Sequence, residues 1–365
     1  MVYENRIFRV QSAMKEQGMD MLLLTPGTDL FYLTGMRGHM YERLVCALIT
    51  CDKVHFISPA FEIGNLKKET LQLFNCHGWT DGENPFLLVD KLFPNNSCRV
   101  AVGTGVPSWV LLAVQNLRPN YLWTSAEELM RELRIKKDNE EYRLLKQVQE
   151  RSCRALNRVL EHGVCGMTER QVGKLIMEYS EREEVDSPGG IPIVAVGPNS
   201  ALPHHQTGDS VIKAGDILLI DFGGENIEGG YMSDTTRTFA VKHIPDGFLE
   251  IYNIVKRANQ TAFEAVKPGV PCRDIDKAAR DVISAAGYGS YFTHRVGHGL
   301  GLDVHEHPYM SLDNERLIEA GNVFSIEPGI YLPGQFGVRI EDIVFVKGDG
   351  AERLTPLDHE LHIID

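Results

Sequence analysis

Acidic residues stand at the ends of apolar segments in the second half of the chain. Asp221 closes the run ILLID, Glu327 follows VFSI, and Glu341 lies inside GVRIEDIVFV. Asp234 follows the segment YMS, and His298 lies in the glycine-rich segment RVGHGLG. Apolar strands bury their side chains, and an isolated ionised carboxylate is costly to bury. Each of these acids therefore needs a cation, hydrogen-bond donors or a proton.

The charge of this group predicts divalent cations. Four carboxylates carry four negative charges, which two divalent ions would balance, and a bridging hydroxide would add one more. Oxygen ligands with a single nitrogen suit Mn, Co, Fe or Zn rather than a thiolate-bound structural zinc. Two such ions about 3.5–4 Å apart polarise a carbonyl and activate a bridging water for attack. The alternative is that the acids are turn or capping residues and that His298 is an ordinary core histidine.

An internal repeat places two of the acids, Asp221 and Glu327, in equivalent positions. The segment AGDILLIDFG at 214–223 aligns with AGNVFSIEPG at 320–329, at an offset of 106 residues. The same offset pairs two glycines, two valines and two helix-capping residues: Gly163 with Gly269, Val164 with Val270, and Thr168 with Asp274. Each copy predicts a long helix, a glycine stop, a capped helix, a turn and a strand that ends near a carboxylate. We interpret the region as two duplicated αα-ββ halves; chance similarity of two amphipathic stretches is the alternative.

The first third of the chain predicts a separate domain of strands and helices. Apolar runs predict strands at 21–25, 45–50, 54–58 and 99–102, and helical spacing of apolar residues predicts helices at 4–17 and 61–74. This pattern favours a three-layer α/β domain, and it leaves the sheet order open. Apolar content falls near residue 135, so we divide the chain into domains 1–135 and 136–365.

Two helices are predicted at the start of the second domain. Apolar residues at helical spacing run from Leu144 to Leu160, and Gly163 ends the helix as a C-terminal cap. The next helix starts at Thr168, which forms a capping box with Gln171.

Charge and composition restrict the partners and the compartment. The 365 residues include 37 basic and 50 acidic side chains, and the net charge of −13 disfavours nucleic acid and anionic membrane as partners. Seven scattered cysteines without a C-x-x-C pair predict free thiols in a reducing cytoplasm. The first residues carry charges where a signal peptide needs an apolar core, and no apolar run is long enough to span a bilayer.

The segments around the acids resemble the M24 metallopeptidases with a creatinase-like N-terminal domain, which include prolidases (Xaa-Pro dipeptidases) and Xaa-Pro aminopeptidases. The matching motifs are SALPHH at 200–205, IDFG at 220–223, SDTTRT at 233–238, HGLGLDVHE at 298–306, IEPGIY at 326–331 and VRIED at 338–342. The resemblance implies an α+β protein, in which the duplicated halves form a pita-bread catalytic domain after the smaller α/β domain. It also implies two metal ions, for which we expect manganese, with cobalt, zinc or iron as alternatives. The implied ligands are Asp221, Asp234, His298, Glu327 and Glu341.

The resemblance assigns roles to further residues. His204 corresponds to a histidine of the substrate pocket, and His305 to one that hydrogen-bonds the substrate carbonyl as its carbon becomes tetrahedral. His294 corresponds to another active-site histidine, and Arg339 to an arginine that orients the ligands. Glu327 is expected to shuttle a proton from the attacking water to the leaving nitrogen.

The implied reaction is hydrolysis of the bond before proline, in Xaa-Pro dipeptides or at the N-terminus of short peptides. An Xaa-Pro bond has no N–H and the ring fixes φ, so the pocket must fit the ring and place an acid near the nitrogen. Three alternatives are a peptide-binding pseudo-enzyme of the same fold, a methionine-aminopeptidase-like hydrolase and a creatinase-like hydrolase. We interpret His205 and His307 as ordinary buried or surface residues.

Two positions depart from the family pattern. Asp221 and Asp234 are 13 residues apart, where the family usually shows 11. The extra residues lie in GGENIEGG, which predicts a longer hairpin loop with the site preserved. Tyr309 stands where prolidases often carry a basic residue for the carboxylate of a dipeptide, which leaves room for longer peptides.

The resemblance also implies a homodimer. In some relatives the N-terminal domain of one subunit reaches the active site of the other, and the polar segment at residues 37–39 is the candidate for such a contact. We favour a solvated surface loop for this segment, because loops usually lie at the surface.

Overall fold

The computed structural model describes residues 2–38, 40–187 and 189–365. The chain divides into two units, one ending at Arg134 and the other beginning at Ile135. Each unit has its own hydrophobic core.

The first unit contains a six-stranded mixed sheet with the order β4-β3-β2-β1-β5-β6. Its strands are β1 Met21–Leu24, β2 Cys46–Thr50, β3 Val54–Pro59, β4 Asn75–Trp79, β5 Arg99–Val102 and β6 Leu122–Ser125. Its helices are α1 Val2–Glu16, α2 Thr28–Thr34, α3 Ala60–Ile63, α4 Lys68–Leu71, α5 Phe86–Leu92, α6 Ser108–Leu117 and α7 Glu127–Arg134. Leu22 and Leu23 point to opposite faces of the central strand and both are fully buried, so both faces of the sheet are covered.

The four predicted strands are confirmed as β1, β2, β3 and β5, and the helix predicted at 4–17 is confirmed as α1. The single helix predicted at 61–74 is wrong, because Gly64 ends α3 and only the short α4 follows. The sequence also missed β4 and β6, which lie at the two edges of the sheet. Edge strands are covered on fewer sides, and neither NCHGW nor LWTS shows a clear apolar pattern.

The segment at 37–39 lies in this unit. The Arg37 guanidinium stacks on the Phe31 ring, 4.6 Å from its centroid. His39 lies outside the described residues. Contact between this segment and a partner subunit therefore stays a prediction.

The described residues of the second unit form four long helices and four sheets. The helices are α8 Asn139–His162, α9 Glu169–Arg182, α10 Phe248–Ala265 and α11 Cys272–Ala285. Two short 3-10 turns occupy Gly197–Ala201 and Gly289–Tyr291. The strands are β7 Val185–Asp186, β8 Ile193–Val196, β9 Ile217–Phe222, β10 Glu225–Asn226, β11 Thr235–Val241, β12 Gly297–Gly299, β13 Glu306–Met310, β14 Val323–Ile326, β15 Gly329–Leu332, β16 Phe336–Arg339, β17 Asp342–Lys347, β18 Gly350–Arg353 and β19 Ile363–Ile364.

Two antiparallel strand pairs carry the acids predicted as ligands. In the sheet β19-β11-β9-β8, Asp221 of β9 lies opposite Thr236 of β11. In the sheet β13-β12-β14-β17-β18, Ile326 of β14 lies opposite Asp342 of β17. Glu327 directly follows β14 and Glu341 directly precedes β17, so these two acids also meet at one end of their pair. The two halves thus place their acids in equivalent positions.

The duplication is confirmed, but the helices align at a different offset from the strands. β9 and β14 begin 106 residues apart, whereas α8 and α10 end 103 residues apart, as do α9 and α11. The backbone contacts agree, because the bond from Glu169 N to Ser210 O matches the one from Cys272 N to Arg316 O. Three extra residues therefore lie between the second helix and the strands of the second half.

This shift corrects the residue pairs predicted from a uniform offset. Gly269 corresponds to Gly166 rather than to Gly163, since both donate their N–H to equivalent carbonyls, Ile318 O and Ile212 O. Thr168 caps α9 in the predicted capping box with Gln171. Its counterpart is Pro271 rather than Asp274, because α11 begins at Cys272. The fixed φ of proline suits the start of a helix without a capping side chain.

The longer connection between Asp221 and Asp234 is anchored to the protein. It contains β10, which pairs with β7. Asn226 is fully buried, accepts bonds from the backbone of Glu228 and Gly229, and donates to Leu144 O and Gln147 Oε1. The added length therefore forms a small ordered element beside α8.

Two further sequence expectations concern the whole chain. All seven cysteines are free thiols. No helix among the described residues is both long and apolar enough to cross a membrane.

Candidate metal centre and active site

A cavity of about 520 Å³ in the second unit contains every residue predicted for the site. Its walls are completed by Ile193, Pro203, Arg295 and Val304. The predicted residues in its lining are His204, Asp221, Asp234, His294, His298, His305, Glu327, Arg339 and Glu341. Residues from both halves of the repeat thus converge on one space, whose volume is typical of small-ligand sites.

Three buried residues at this site lie close enough together to hold a metal ion. Asp234, His298 and Glu341 each offer a ligand atom, and these atoms all lie within 4.8 Å of one another. His298 Nδ1 lies 3.1 Å from Gly299 O, which can only accept, so Nδ1 carries the proton. The lone pair is therefore on Nε2, which lies 3.6 Å from Asp234 Oδ2 and 3.3 Å from Glu327 Oε1. Burial lowers the pKa of His298 to about 3, so the imidazole is a neutral donor at physiological pH.

Three carboxylates at the centre, those of Asp234, Glu327 and Glu341, are buried or nearly so. Burial, followed by repulsion from neighbouring acids, raises the pKa of Asp234 and that of Glu341 well above their usual range. Burial also raises the pKa of Glu327 to about 7. Among the described residues, no lysine or arginine lies within salt-bridge distance of these three acids.

A neighbouring acid shows how the same protein compensates a buried charge. Asp342 is fully buried directly after Glu341 and contacts Arg237 at 2.7 Å, Arg353 at 3.2 Å and His359 at 2.7 Å. Burial alone would raise its pKa, but Arg237 and His359 hold the pKa of Asp342 far below the usual value. In the part of the chain that the structure describes, Asp234, Glu327 and Glu341 contact no arginine or lysine, and the nearby His298 is neutral. The donor set therefore fits divalent cations.

Arg339 orients acids from both halves of the repeat. Its Nη2 donates to Asp221 Oδ2 at 2.6 Å, and its Nε donates to Thr236 Oγ1 at 3.0 Å. The Thr236 hydroxyl donates in turn to Glu341 Oε2 at 2.8 Å. A single guanidinium therefore sets the directions of two carboxylates, directly for Asp221 and through a hydroxyl for Glu341.

Tyr331 links this arginine to His294. Arg339 Nη1 donates to the Tyr331 hydroxyl at 2.8 Å, and the hydroxyl donates to His294 Nε2, also at 2.8 Å. His294 Nδ1 donates to Arg295 O at 2.7 Å. Burial lowers the pKa of His294 to about 4, so the ring stays neutral. Sequence reasoning missed Tyr331 and Thr236, although both lie within the quoted motifs IEPGIY and SDTTRT.

Side chains behind the predicted ligands hold the backbone of the centre. Gln149 of α8 donates to Asp234 O at 3.1 Å and accepts from Asp234 N at 3.2 Å. Asn259 of α10 donates to the carbonyls of Ile326 and Ile340, the residues before Glu327 and Glu341. The long helix of each half thus supplies one amide side chain to hold its acids. These contacts join residues far apart in the chain, so local sequence patterns gave no signal for them.

The histidines predicted to meet substrate lie at the open side of the cavity. His204 and His305 are exposed, whereas His298 is only 4% exposed. The His305 ring is perpendicular to that of His298, with centroids 4.1 Å apart. Burial of part of the ring lowers the pKa of His305, so its neutral form prevails at physiological pH. The site therefore has an acidic floor and two exposed histidines at its mouth.

His205 and His307 make contacts consistent with the ordinary roles expected for them. His205 Nε2 lies 2.9 Å from Glu169 Oε2, and the His307 ring packs against that of Tyr309 at 4.6 Å. Glu169 is fully buried and also accepts from Val196 N, Gly208 N and the side chain of Asn199. Glu169 therefore binds the backbone at Val196 and at Gly208, on either side of His204.

We expect Glu169→Ala to lower the free energy of unfolding by about 3 kcal/mol, because it leaves buried backbone donors without an acceptor. Urea denaturation measures this change. The control is Glu178→Ala on the exposed face of the same helix, which we expect to alter stability by less than about 0.5 kcal/mol. Equal effects of the two substitutions would contradict the role of Glu169.

The buried acidic centre and its open cavity define a metal-dependent hydrolase, and comparison with known proteins identifies the family. The family model for Metallopeptidase family M24 matches residues 143–348, and that for the Creatinase/Prolidase N-terminal domain matches residues 6–136. The chain therefore belongs to metallopeptidase family M24, in the two-domain form with a creatinase-type first domain and a pita-bread second domain. The resemblance inferred from the motifs and the fold that it implied are confirmed.

Relatives match over nearly their full lengths. A probable dipeptidase PepE from Mycobacterium tuberculosis (strain ATCC 25618 / H37Rv) is 37% identical over 100% of this chain and 97% of its own. The structure of a prolidase from Thermococcus sibiricus superposes with a TM-score of 0.93 at 35% identity, covering 99% of each chain. That of dipeptidase PepE from Mycobacterium ulcerans gives a TM-score of 0.92 at 37% identity, covering 100% of this chain and 98% of the other. This protein is thus a metallopeptidase, and peptides are its class of substrate.

Proposed function

We propose that this protein is a two-metal exopeptidase that hydrolyses the bond before proline in dipeptides or at the N-terminus of short peptides. The observation that carries the proposal is the cluster of four carboxylates and one neutral imidazole on the floor of a cavity. The proposed ligands are Asp221, Asp234, His298, Glu327 and Glu341. Prolidases and dipeptidases among the similar proteins support this substrate class.

When bound, a pair of divalent cations activates water and polarises the scissile carbonyl. We assign proton transfer between the attacking water and the leaving nitrogen to Glu327, because its carboxylate lines the cavity beside His298 Nε2, at 3.3 Å. We assign His305 to donate a hydrogen bond to the substrate carbonyl oxygen from the open side of the cavity. His204 borders the substrate opposite the acidic floor, and Arg339 with Tyr331 and His294 keeps the acids in position.

Proline fits the remaining surface of the cavity. Ile193, Pro203 and Val304 are the apolar residues in its lining, and they can pack against a pyrrolidine ring. The bond before proline has no N–H, so recognition must come from ring packing rather than from a backbone acceptor. We also propose a cytoplasmic homodimer that uses manganese, which light scattering and metal analysis of the native protein would test.

Metal-depleted protein, reloaded separately with Mn, Co, Zn or Fe, should cleave Leu-Pro about 100-fold faster in kcat/KM than Leu-Ala. The panel should include Leu-Pro-Gly, an N-terminal methionyl peptide and creatine, which test the longer-peptide, methionine-aminopeptidase and creatinase alternatives. Peptide binding with no metal uptake and no hydrolysis under any ion would instead support a pseudo-enzyme.

A further inference from the structure

Two arginines of the described residues line the cavity, and they differ in their contacts with the acidic centre. Arg339 is 3% exposed and donates to Asp221, Thr236 and Tyr331. Arg295 lines the same cavity and is half-buried. Among the described residues, no acidic side chain lies within salt-bridge distance of Arg295. Its guanidinium is therefore a cation in the substrate space without an anion of the protein to pair with.

An aromatic ring holds this guanidinium in place. Arg295 Cζ lies 4.2 Å from the centroid of the Tyr309 ring, and the His307 ring also packs against it, at 4.6 Å between centroids. Stacking on a ring fixes the plane of a guanidinium and leaves its N–H groups at the edge available for hydrogen bonds. Arginine holds carboxylates well in this arrangement, because two parallel N–H groups match the two carboxylate oxygens.

Hydrogen bonds hold the backbone on both sides of the pair. Val296 lies next to Arg295. Its carbonyl oxygen accepts a hydrogen bond from Glu327 N, and its N–H donates to Asp276 Oδ2. Tyr309 lies in β13, which pairs with β12 directly after this segment. Arg295 is thus fixed relative to Glu327, the residue proposed to protonate the leaving nitrogen.

A free dipeptide places its negative charge close to the bond that is cut. In Xaa-Pro the C-terminal carboxylate is attached to the proline Cα, two bonds from the scissile nitrogen. A longer peptide or an amide has no charge at this position. A fixed cation beside the reacting groups therefore distinguishes free dipeptides from extended ones.

We propose that Arg295, held by Tyr309, binds the C-terminal carboxylate of the substrate and makes free Xaa-Pro dipeptides the preferred substrates. This inference rests on the proposed function and specifies its substrate. Tyr309 stands where the sequence suggested that a cation for this carboxylate was missing. Its ring instead holds a cation, Arg295, from the segment before β12. Arg295 and Tyr309 together would thus do what a basic side chain at position 309 does in prolidases, which is to bind the carboxylate of the dipeptide.

The test compares Leu-Pro, Leu-Pro-amide and Leu-Pro-Gly with manganese-loaded wild-type protein and Arg295→Gln. We expect the wild type to favour Leu-Pro over its amide about 50-fold in kcat/KM, and Arg295→Gln to reduce this ratio to about 2-fold, chiefly through KM. Arg295→Lys should be intermediate, because it keeps the charge and loses the paired N–H groups. Arg170→Gln, at an exposed ion pair on α9, is the matched control and should leave the ratio unchanged.

Metal content and melting temperature of each variant are measured in parallel, and both should equal those of the wild type. Equal wild-type rates on the acid and the amide would overturn the inference while leaving the proposed function intact. The same conclusion would follow if Arg295→Gln lowered kcat/KM for Leu-Pro and for Leu-Pro-amide by the same factor. Absence of cleavage of all three substrates by the wild type would instead overturn the proposed function.

Discussion

Asp221→Asn will reduce kcat/KM for an Xaa-Pro dipeptide by about 1,000-fold and remove at least one bound metal ion per chain. The substitution takes one negative charge from a set of four carboxylates, of which only Asp221 contacts an arginine among the described residues. Loss of one metal's contribution to charge stabilisation in the transition state is worth about 4 kcal/mol, which corresponds to that rate factor. Steady-state kinetics and elemental analysis of the purified variant measure both effects.

The variant should fold normally, which makes the result interpretable. Asparagine keeps an oxygen that can accept the bond that Arg339 Nη2 now donates to Asp221. Asp209→Asn is the matched control, because Asp209 forms an exposed ion pair with Arg170, and it should change neither activity nor metal content. Undiminished hydrolysis by Asp221→Asn would exclude the proposed ligand set.

Removal of metal will destabilise the protein by several kcal/mol near pH 8 and by much less near pH 5. In the metal-free protein Glu327 has a pKa of about 7, against a usual value of 4.5. The folded state then binds more protons than the unfolded state between these values, so metal-free stability falls as pH rises through this window. For Glu327 alone this amounts to about 3 kcal/mol, and Asp234 and Glu341 act in the same direction.

Bound cations remove this penalty by replacing the protons. Urea unfolding with and without EDTA, at about pH 5 and about pH 8, measures the difference. Glu352 contributes the opposite slope, since Lys146 and Lys347 outweigh its partial burial and lower the pKa of Glu352 to about 2. The contribution of Glu352 to the free energy of unfolding is lost only below about pH 4.5, outside the pH range in which Glu327 acts.

Asp221→Asn is the control for the chelation experiment. EDTA should change its stability less than that of the wild type near pH 8, because it binds less metal. An effect of EDTA on the wild type that is independent of pH would contradict the charge argument for the centre.

Local patterns in the sequence were sufficient for the elements that depend on near neighbours. The alternation of apolar runs predicted β1, β2, β3 and β5, and the pair Thr168 and Gln171 predicted the start of α9. The acids at strand ends were also visible, because a charge after an apolar run is costly wherever the run is buried. The repeat was also visible, because both copies preserve an apolar strand and the acid at its end.

The tertiary structure decided which residues meet across the two halves. The 103-residue offset of the helices became clear only from equivalent backbone contacts, because a uniform offset fits the strands alone. The contacts of Arg339 with Asp221 and Thr236, and of Gln149 with Asp234, join residues about 85 to 118 positions apart. Hydrogen-bond partners at such separations leave no periodic signal in the chain.

The sequence by itself determined the chemistry available to this protein: four acids and a histidine on a duplicated frame. The structure decided how that chemistry is directed, through Arg339 between the two acidic strand pairs and Arg295 on the ring of Tyr309. The physical reason is that residue type and burial follow from local composition, whereas the direction of a charged side chain depends on partners brought together only by folding.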